Sequence, residues 1–179
     1  AADRERLAVL GKPEIVPRVR ADERVEPLLA RHPASLRYRR EHPLGMKLFD
    51  GVLGESGTLR FCDSDVLFLR PVSRLFPDDP GEPRFLEDVQ NAYSLRSWQL
   101  ARHRLRIGRR INSGLLAFPR EAFDLDRVEW YLSRPEMAFA PMWREQTAWA
   151  LLAATRPSTT FDRWSFRIAK GPPTAADAL

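Results

Sequence analysis

Two carboxylates one residue apart, Asp63 and Asp65, interrupt an otherwise apolar run, LRFCDSDVLFLRP at residues 59–71. Anionic side chains are seldom buried without a partner, so such a run needs either a use for them or a turn at that point. In an extended segment residues i and i+2 face the same way, and the pair can hold a hard divalent cation through oxygen. Mg²⁺ or Mn²⁺ held in this way completes its shell with water and substrate phosphates. The competing reading is a turn in which the Asp side chains accept from backbone N–H groups. A calcium loop is excluded, because its Gly and its distal Glu are not at their offsets from Asp63.

Two further sets of residues can handle a polar ligand. Gly114 lies inside the apolar stretch INSGLLAFP at 111–119, where a glycine signals a bulge or a close backbone approach. Asn112 beside it offers donors and an acceptor, and Ser113 a hydroxyl; together they suit sugar hydroxyls, or form a plain polar turn before a strand. The third set is WREQ at 143–146, where Glu145 and Gln146 fall in the first turn of a helix. They can point out of that end and grip hydroxyls, although acidic residues are favoured in a first turn in any case. Trp143 is either a stacking platform or core.

The elements that must position these residues follow from periodicity and breakers. Helices are expected over 4–10, 21–32, 43–54, 96–108, 126–135 and 143–155. Strands are expected over 14–20, 35–40, 58–63, 84–89 and 111–119, with one or two more in 158–168 and a turn-rich loop at 77–83. Strands alternating with helices give an α/β domain with a mixed, mostly parallel central sheet flanked by helices. A strand that ends in carboxylates at its C-terminal edge is where α/β sheets place their ligands.

The 179 residues suit a single domain over 1–179, with 1–70 carrying the nucleotide and metal part and 71–179 the sugar and acceptor part. A hydrophobic content of 44% is enough for a core. The net charge of +5 and sequence pI near 10.0 invite a nucleic-acid reading. That reading ranks last, because the basic residues are arginines spread along the chain and no nucleic-acid motif is present. Their densest clusters, RYRR at 37–40 and RHRLRIGRR at 102–110, remain able to attract an anionic ligand. One cysteine, Cys62, excludes an internal disulfide, and together with the lack of a signal peptide or transmembrane stretch it points to the cytoplasm.

The order of the segments carries more than any one of them. A helix ending in MKLFDGVL, a strand running into DSDVLFLRP, then INSGLLAFPR and then WREQTAWALLA resemble the nucleotide-sugar glycosyltransferases with the A-type fold, over about residues 40–155. The resemblance implies a Rossmann-like domain that moves a sugar from a nucleoside-diphosphate donor to an unknown acceptor, whether saccharide, lipid or protein. It implies that Asp63 and Asp65 bind Mn²⁺ or Mg²⁺ and the diphosphate, and that Asn112, Ser113 and Gly114 line the sugar pocket. By the same resemblance Glu145 and Gln146 hold sugar hydroxyls or act near the reacting carbon as catalytic residues, and Lys47 approaches the donor. Two departures stand against it: the nucleotide-binding first strand is expected before Ala1, and no late His follows as a further metal ligand. An incomplete chain, poor donor binding and homo-oligomer formation are therefore expected as well. The alternatives are a noncatalytic glycosyltransferase-like binding or scaffold domain and, last, an arginine-rich nucleic-acid binder.

Overall fold

A buried guanidinium organises the first part of the molecule. The computed structural model describes residues 14–54, 57–69, 75–76, 81–162 and 165–166. Three helices come first, α1 (Arg18–Leu29), α2 (Pro33–Glu41) and α3 (Pro43–Leu53). Arg39 on α2 is fully buried between the other two. Its Nε and Nη2 donate to Asp50 of α3 at 2.6 and 3.0 Å, and its Nη1 donates to Asp22 of α1 at 2.6 Å. Gly45 allows the close crossing, since a Cβ there would run into the Tyr38 carbonyl and lie 2.6 Å from the Arg39 Cα.

This arrangement corrects two expectations. Residues 35–40 alternate like a strand but form helix α2. Its buried residues, Ser35, Tyr38 and Arg39, follow the i, i+3, i+4 spacing of a helix face. Glu129, from a later helix, caps its N-terminus by accepting from the backbone N–H groups of Ala34 and Ser35 at 3.0 and 2.8 Å. The strand expected over 14–20 is absent as well: α1 starts at Arg18, after Pro17 in an extended conformation. The helix expected over 4–10 lies outside the described residues.

The sheet has strand order β1-β3-β2-β4, with β1 at Thr58–Cys62, β2 at Arg84–Glu87, β3 at Ile111–Pro119 and β4 at Thr159–Thr160. Both β1 and β2 pair antiparallel with β3, and β4 pairs parallel with β2. The sheet is therefore mixed rather than mostly parallel. The chain from 88 to 110 brings β3 back between β1 and β2 in the opposite sense, and no local sequence pattern specifies that direction. Among the described residues β1 is an edge strand, not a central one.

The helix expected over 96–108 is reduced to α4 (Ser97–Arg102), because Arg104 adopts a left-handed φ of 52° that a helix does not tolerate. Helix α5 (Leu125–Leu132) and α6 (Arg144–Ala153) match their expected places. Every residue of α6 from Glu145 to Ala153 is buried. Its Trp149 sits among Phe118, Phe123 and Phe85, with ring centroids 5.0, 5.7 and 6.4 Å away. Alternation along β3 sends Leu116 and Phe118 into this core and Leu115 to the other face, beside Leu86 and Phe161.

Arg39→Met is expected to lower stability to urea, since it leaves Asp50 without its guanidinium and Asp22 with Arg18 alone. Hydrogen bonding to Arg39 holds the Asp22 carboxyl below its ordinary range, and Arg40 does the same for Glu26. Depressed carboxyls contribute stability above their unfolded values and lose it as pH falls. The wild-type protein should thus weaken below about pH 4, and Arg39→Met should show a shallower acid dependence in the same titration.

Candidate functional site

The sheet and two helices bring the expected site residues, Asp65 excepted, to one place. Asp63 follows β1 directly, and its N–H donates to the Gly114 carbonyl at 2.7 Å, carrying the pairing one residue past the strand. The chain then turns at Ser64 and Asp65, and the Val66 N–H returns to the Asp63 carbonyl at 3.2 Å. The extended geometry that would set both carboxylates side by side stops at Asp63. Asp65 is exposed and has no hydrogen-bond or ion-pair partner among the described residues.

On β3 the pairing with β2 breaks just where Asn112, Ser113 and Gly114 lie. Phe85 faces Leu116, yet the next residue, Leu86, faces Asn112, so residues 113–115 have no counterpart on β2. In this bulge the Gly114 N–H donates to Asn112 Oδ1 at 2.8 Å. A Cβ on Gly114 would stand 2.9 Å from Asn112 Oδ1 and 3.3 Å from Asp63 Oδ2. Both uses of a glycine in a strand, bulge and close approach, apply here.

Lys47 reaches across from α3. Its Nζ lies 2.8 Å from Asp63 Oδ2, 3.9 Å from Glu145 Oε1 and 5.0 Å from the centre of the Phe61 ring. Glu145, in the first turn of α6, is only 2% exposed. Its Oε1 accepts from Trp149 Nε1 at 2.7 Å and its Oε2 from Ser113 Oγ at 2.9 Å. Burial pushes the pKa of this carboxyl up, while Lys47 and the two hydrogen bonds oppose the shift. Gln146, next along the helix, donates through Nε2 to the Ala92 carbonyl at 3.0 Å and to Asp88 Oδ2 at 3.2 Å.

Asp88 is the residue that sequence reasoning missed. It is buried and follows β2 directly, as Asp63 follows β1, and its Oδ2 also accepts from Asn112 Nδ2 at 3.0 Å. The signal was present in RFLED, a short apolar strand ending in a carboxylate, the same pattern that drew attention to Asp63. Lys47, Asp63, Asn112, Ser113, Gly114, Glu145 and Gln146 thus form one connected polar network, joined through Asp88, and Asp65 stands outside it. Among the described residues no three His, Cys, Asp or Glu side chains form a group suited to a metal ion. Two surface hollows, one beside Val19, Asp22 and Glu26 and one beside Val16 and Arg20, lie at α1 and the residues before it, not at this network. The chain matches no protein family, no curated protein and no solved structure.

The network makes two substitutions informative. Glu145→Gln keeps an acceptor for Trp149 and a partner for the Ser113 hydroxyl, and should fold with a small loss of stability. Glu145→Leu strands both donors and should cost about 2–4 kcal/mol in urea unfolding. Gly114→Ala, in contrast, should cost about 1–2 kcal/mol by pushing Asn112 and Asp63 apart, visible as changed amide shifts at 63, 88 and 112.

Proposed function

We propose that this network is the donor site of a glycosyltransferase, which moves a sugar from a nucleoside diphosphate to an acceptor. The observation that supports the reading is convergence: four separate elements, α3, the end of β1, the bulge of β3 and the start of α6, bring their polar residues into one hydrogen-bonded set. Under this reading the domain is of the Rossmann-like A type, with β1, β2 and β4 running one way and β3 against them.

A divalent cation, Mn²⁺ or Mg²⁺, would in this reading be held at Asp63. The Asp63 side chain is 32% exposed, with Lys47 Nζ on its Oδ2 at 2.8 Å. Asp63 would be its protein ligand, joined by Asp65 only if that side chain swings back across the turn at Ser64, with water and phosphate oxygens completing the shell. Such an ion would supply stabilisation of the charge that grows on the departing diphosphate.

Lys47, a compact point charge 2.8 Å from Asp63 Oδ2, is the residue placed to hold a donor phosphate. Glu145 has both oxygens engaged, so its role is to hold Lys47 and Ser113 in place rather than to act at the sugar. Gln146 and Asn112 likewise orient Asp88. Among the described residues one Asp88 oxygen, Oδ1, accepts only a 3.3 Å bond from the Gln90 N–H, which leaves it capacity for a sugar hydroxyl. A second reading, a noncatalytic glycosyltransferase-like binding domain, draws support from the closure of the network, whose side chains are directed at one another.

Thermal-shift titration of uridine and guanosine diphosphates, each with and without Mn²⁺, tests the proposal. Ligand at a hundred times its Kd stabilises by about 2.7 kcal/mol. Asp63→Asn should remove the Mn²⁺-dependent part of the shift, and Lys47→Met should weaken nucleotide binding with the metal present. Absence of any shift with every nucleoside diphosphate sinks the transferase reading. Binding without sugar transfer favours the noncatalytic one.

A further inference from the structure

The stretch from the last residue of α4 to the start of β3 forms a strap that carries four arginines without a carboxylate partner among the described residues. Residues 102–110, RHRLRIGRR, hold five arginines and no acid. Arg110 pairs with Glu87 at 3.3 Å. Arg102, Arg104, Arg106 and Arg109 are exposed, and none has a carboxylate partner among the described residues. Leu105 and Ile107, between them, turn inward and pack against the core.

The strap is fastened at close intervals. The Leu105 N–H donates to the Leu100 carbonyl at 2.9 Å and the Gly108 N–H to the Ala150 carbonyl of α6 at 2.8 Å. Tyr93 ties it twice, its hydroxyl donating to the Gly108 carbonyl at 2.7 Å and accepting from the Ile111 N–H at 2.8 Å. Arg110 is held by Asn91 Oδ1 at its N–H, and its carbonyl accepts the Asp88 N–H at 2.7 Å. The arginines therefore stand on backbone whose order does not depend on a ligand, and the strap runs straight into Asp88 and Asn112. Two of its residues, Arg104 and Arg110, adopt left-handed φ values of 52° and 51°, which arginine accepts at some cost.

We propose that this strap binds an anionic saccharide, one bearing phosphate, sulfate or carboxylate groups, and delivers it as acceptor to the network at Asp88. Guanidinium groups match such oxyanions bidentately. The composition of the strap separates this partner from the others an arginine row attracts. Between 102 and 110 there is no Phe, Tyr or Trp, and His103 is engaged edge-on with Trp130 at 5.8 Å, so the strap itself offers no free stacking platform of the kind that single-stranded nucleic acid uses. Its apolar side chains point into the core, which leaves nothing to insert into a lipid surface. The acceptor role rests on the transferase reading; the saccharide site does not.

The test uses the full chain and four probes: a heparin octasaccharide, a neutral dextran octasaccharide, a single-stranded RNA octamer, and phosphatidylglycerol vesicles. The heparin fragment should bind, with an affinity that falls as salt rises, and dextran should not. The variant Arg104→Asn/Arg106→Ser/Arg109→Ser should bind heparin at least about tenfold more weakly while its melting temperature and nucleoside-diphosphate affinity stay unchanged. Asn is chosen at 104 because it tolerates the left-handed backbone. Arginine-to-lysine changes at the same three positions should restore part of the binding. RNA or vesicles binding as tightly as heparin would overturn the proposal, as would a variant that binds heparin like the wild type. Loss of nucleoside-diphosphate binding in the variant would assign the strap to the donor instead. Heparin binding that depends on the strap in a chain with no affinity for nucleoside diphosphates upholds the saccharide site and removes the transferase.

Discussion

A carboxylate taken out of water must be answered by its neighbours, and Glu145 is answered from three elements. Lys47 comes from α3, Ser113 from the bulge of β3, and the Trp149 indole from one turn further along α6. An unpaired buried charge costs several kcal/mol, so these elements are held to one arrangement. The helix that carries Glu145 is buried along its length, and α3 and α6 have to lie side by side for the ammonium to reach. Asp63 joins through the same ammonium. Changes at these positions are accordingly expected to couple rather than add.

Helix α3 links this cluster to the rest of the molecule. It sends Lys47 to the site, Leu48, Phe49 and Val52 to the core, and Asp50 to the buried guanidinium of Arg39. The tight turn at Gly45 sets the distance between α2 and α3, and through it the reach of Arg39. A positively charged side chain thus sits at each of the two polar junctions, one a lysine with two carboxylates, the other an arginine whose planar fork takes Asp50 with two of its nitrogens and Asp22 with a third.

The elements that carry the site were legible in the sequence. The apolar patterns over 43–54, 58–63, 111–119 and 143–155 place α3, β1, β3 and α6 to within a residue or two, because each is long, periodic and bounded by Gly, Pro or a polar cap. What was not legible depends on distant partners. Residues 35–40 alternate like a strand, and only the acids at 22 and 50 explain why Arg39 points inward from a helix. The sense of β3 between β1 and β2 has no local signature, and neither has the left-handed turn at Arg104 that cuts α4 short. The pairing of Asp65 with Asp63 rested on an extended chain, and the backbone instead turns at Ser64 and Asp65. Asp88 was passed over because its one local cue, a carboxylate closing a four-residue strand, is too slight to stand out without its partners at 112 and 146.

The chain draws almost all of its positive charge from guanidinium, and lysine occurs only at positions 12, 47 and 170. Among the described residues Lys47 is the single amine, 13% exposed and fixed between two carboxylates. The protein therefore carries a built-in chemical tag at its polar centre. An isotopically labelled methyl group introduced there would stand almost alone in a spectrum, and its resonance would report whether the ammonium still faces Asp63 or has turned elsewhere.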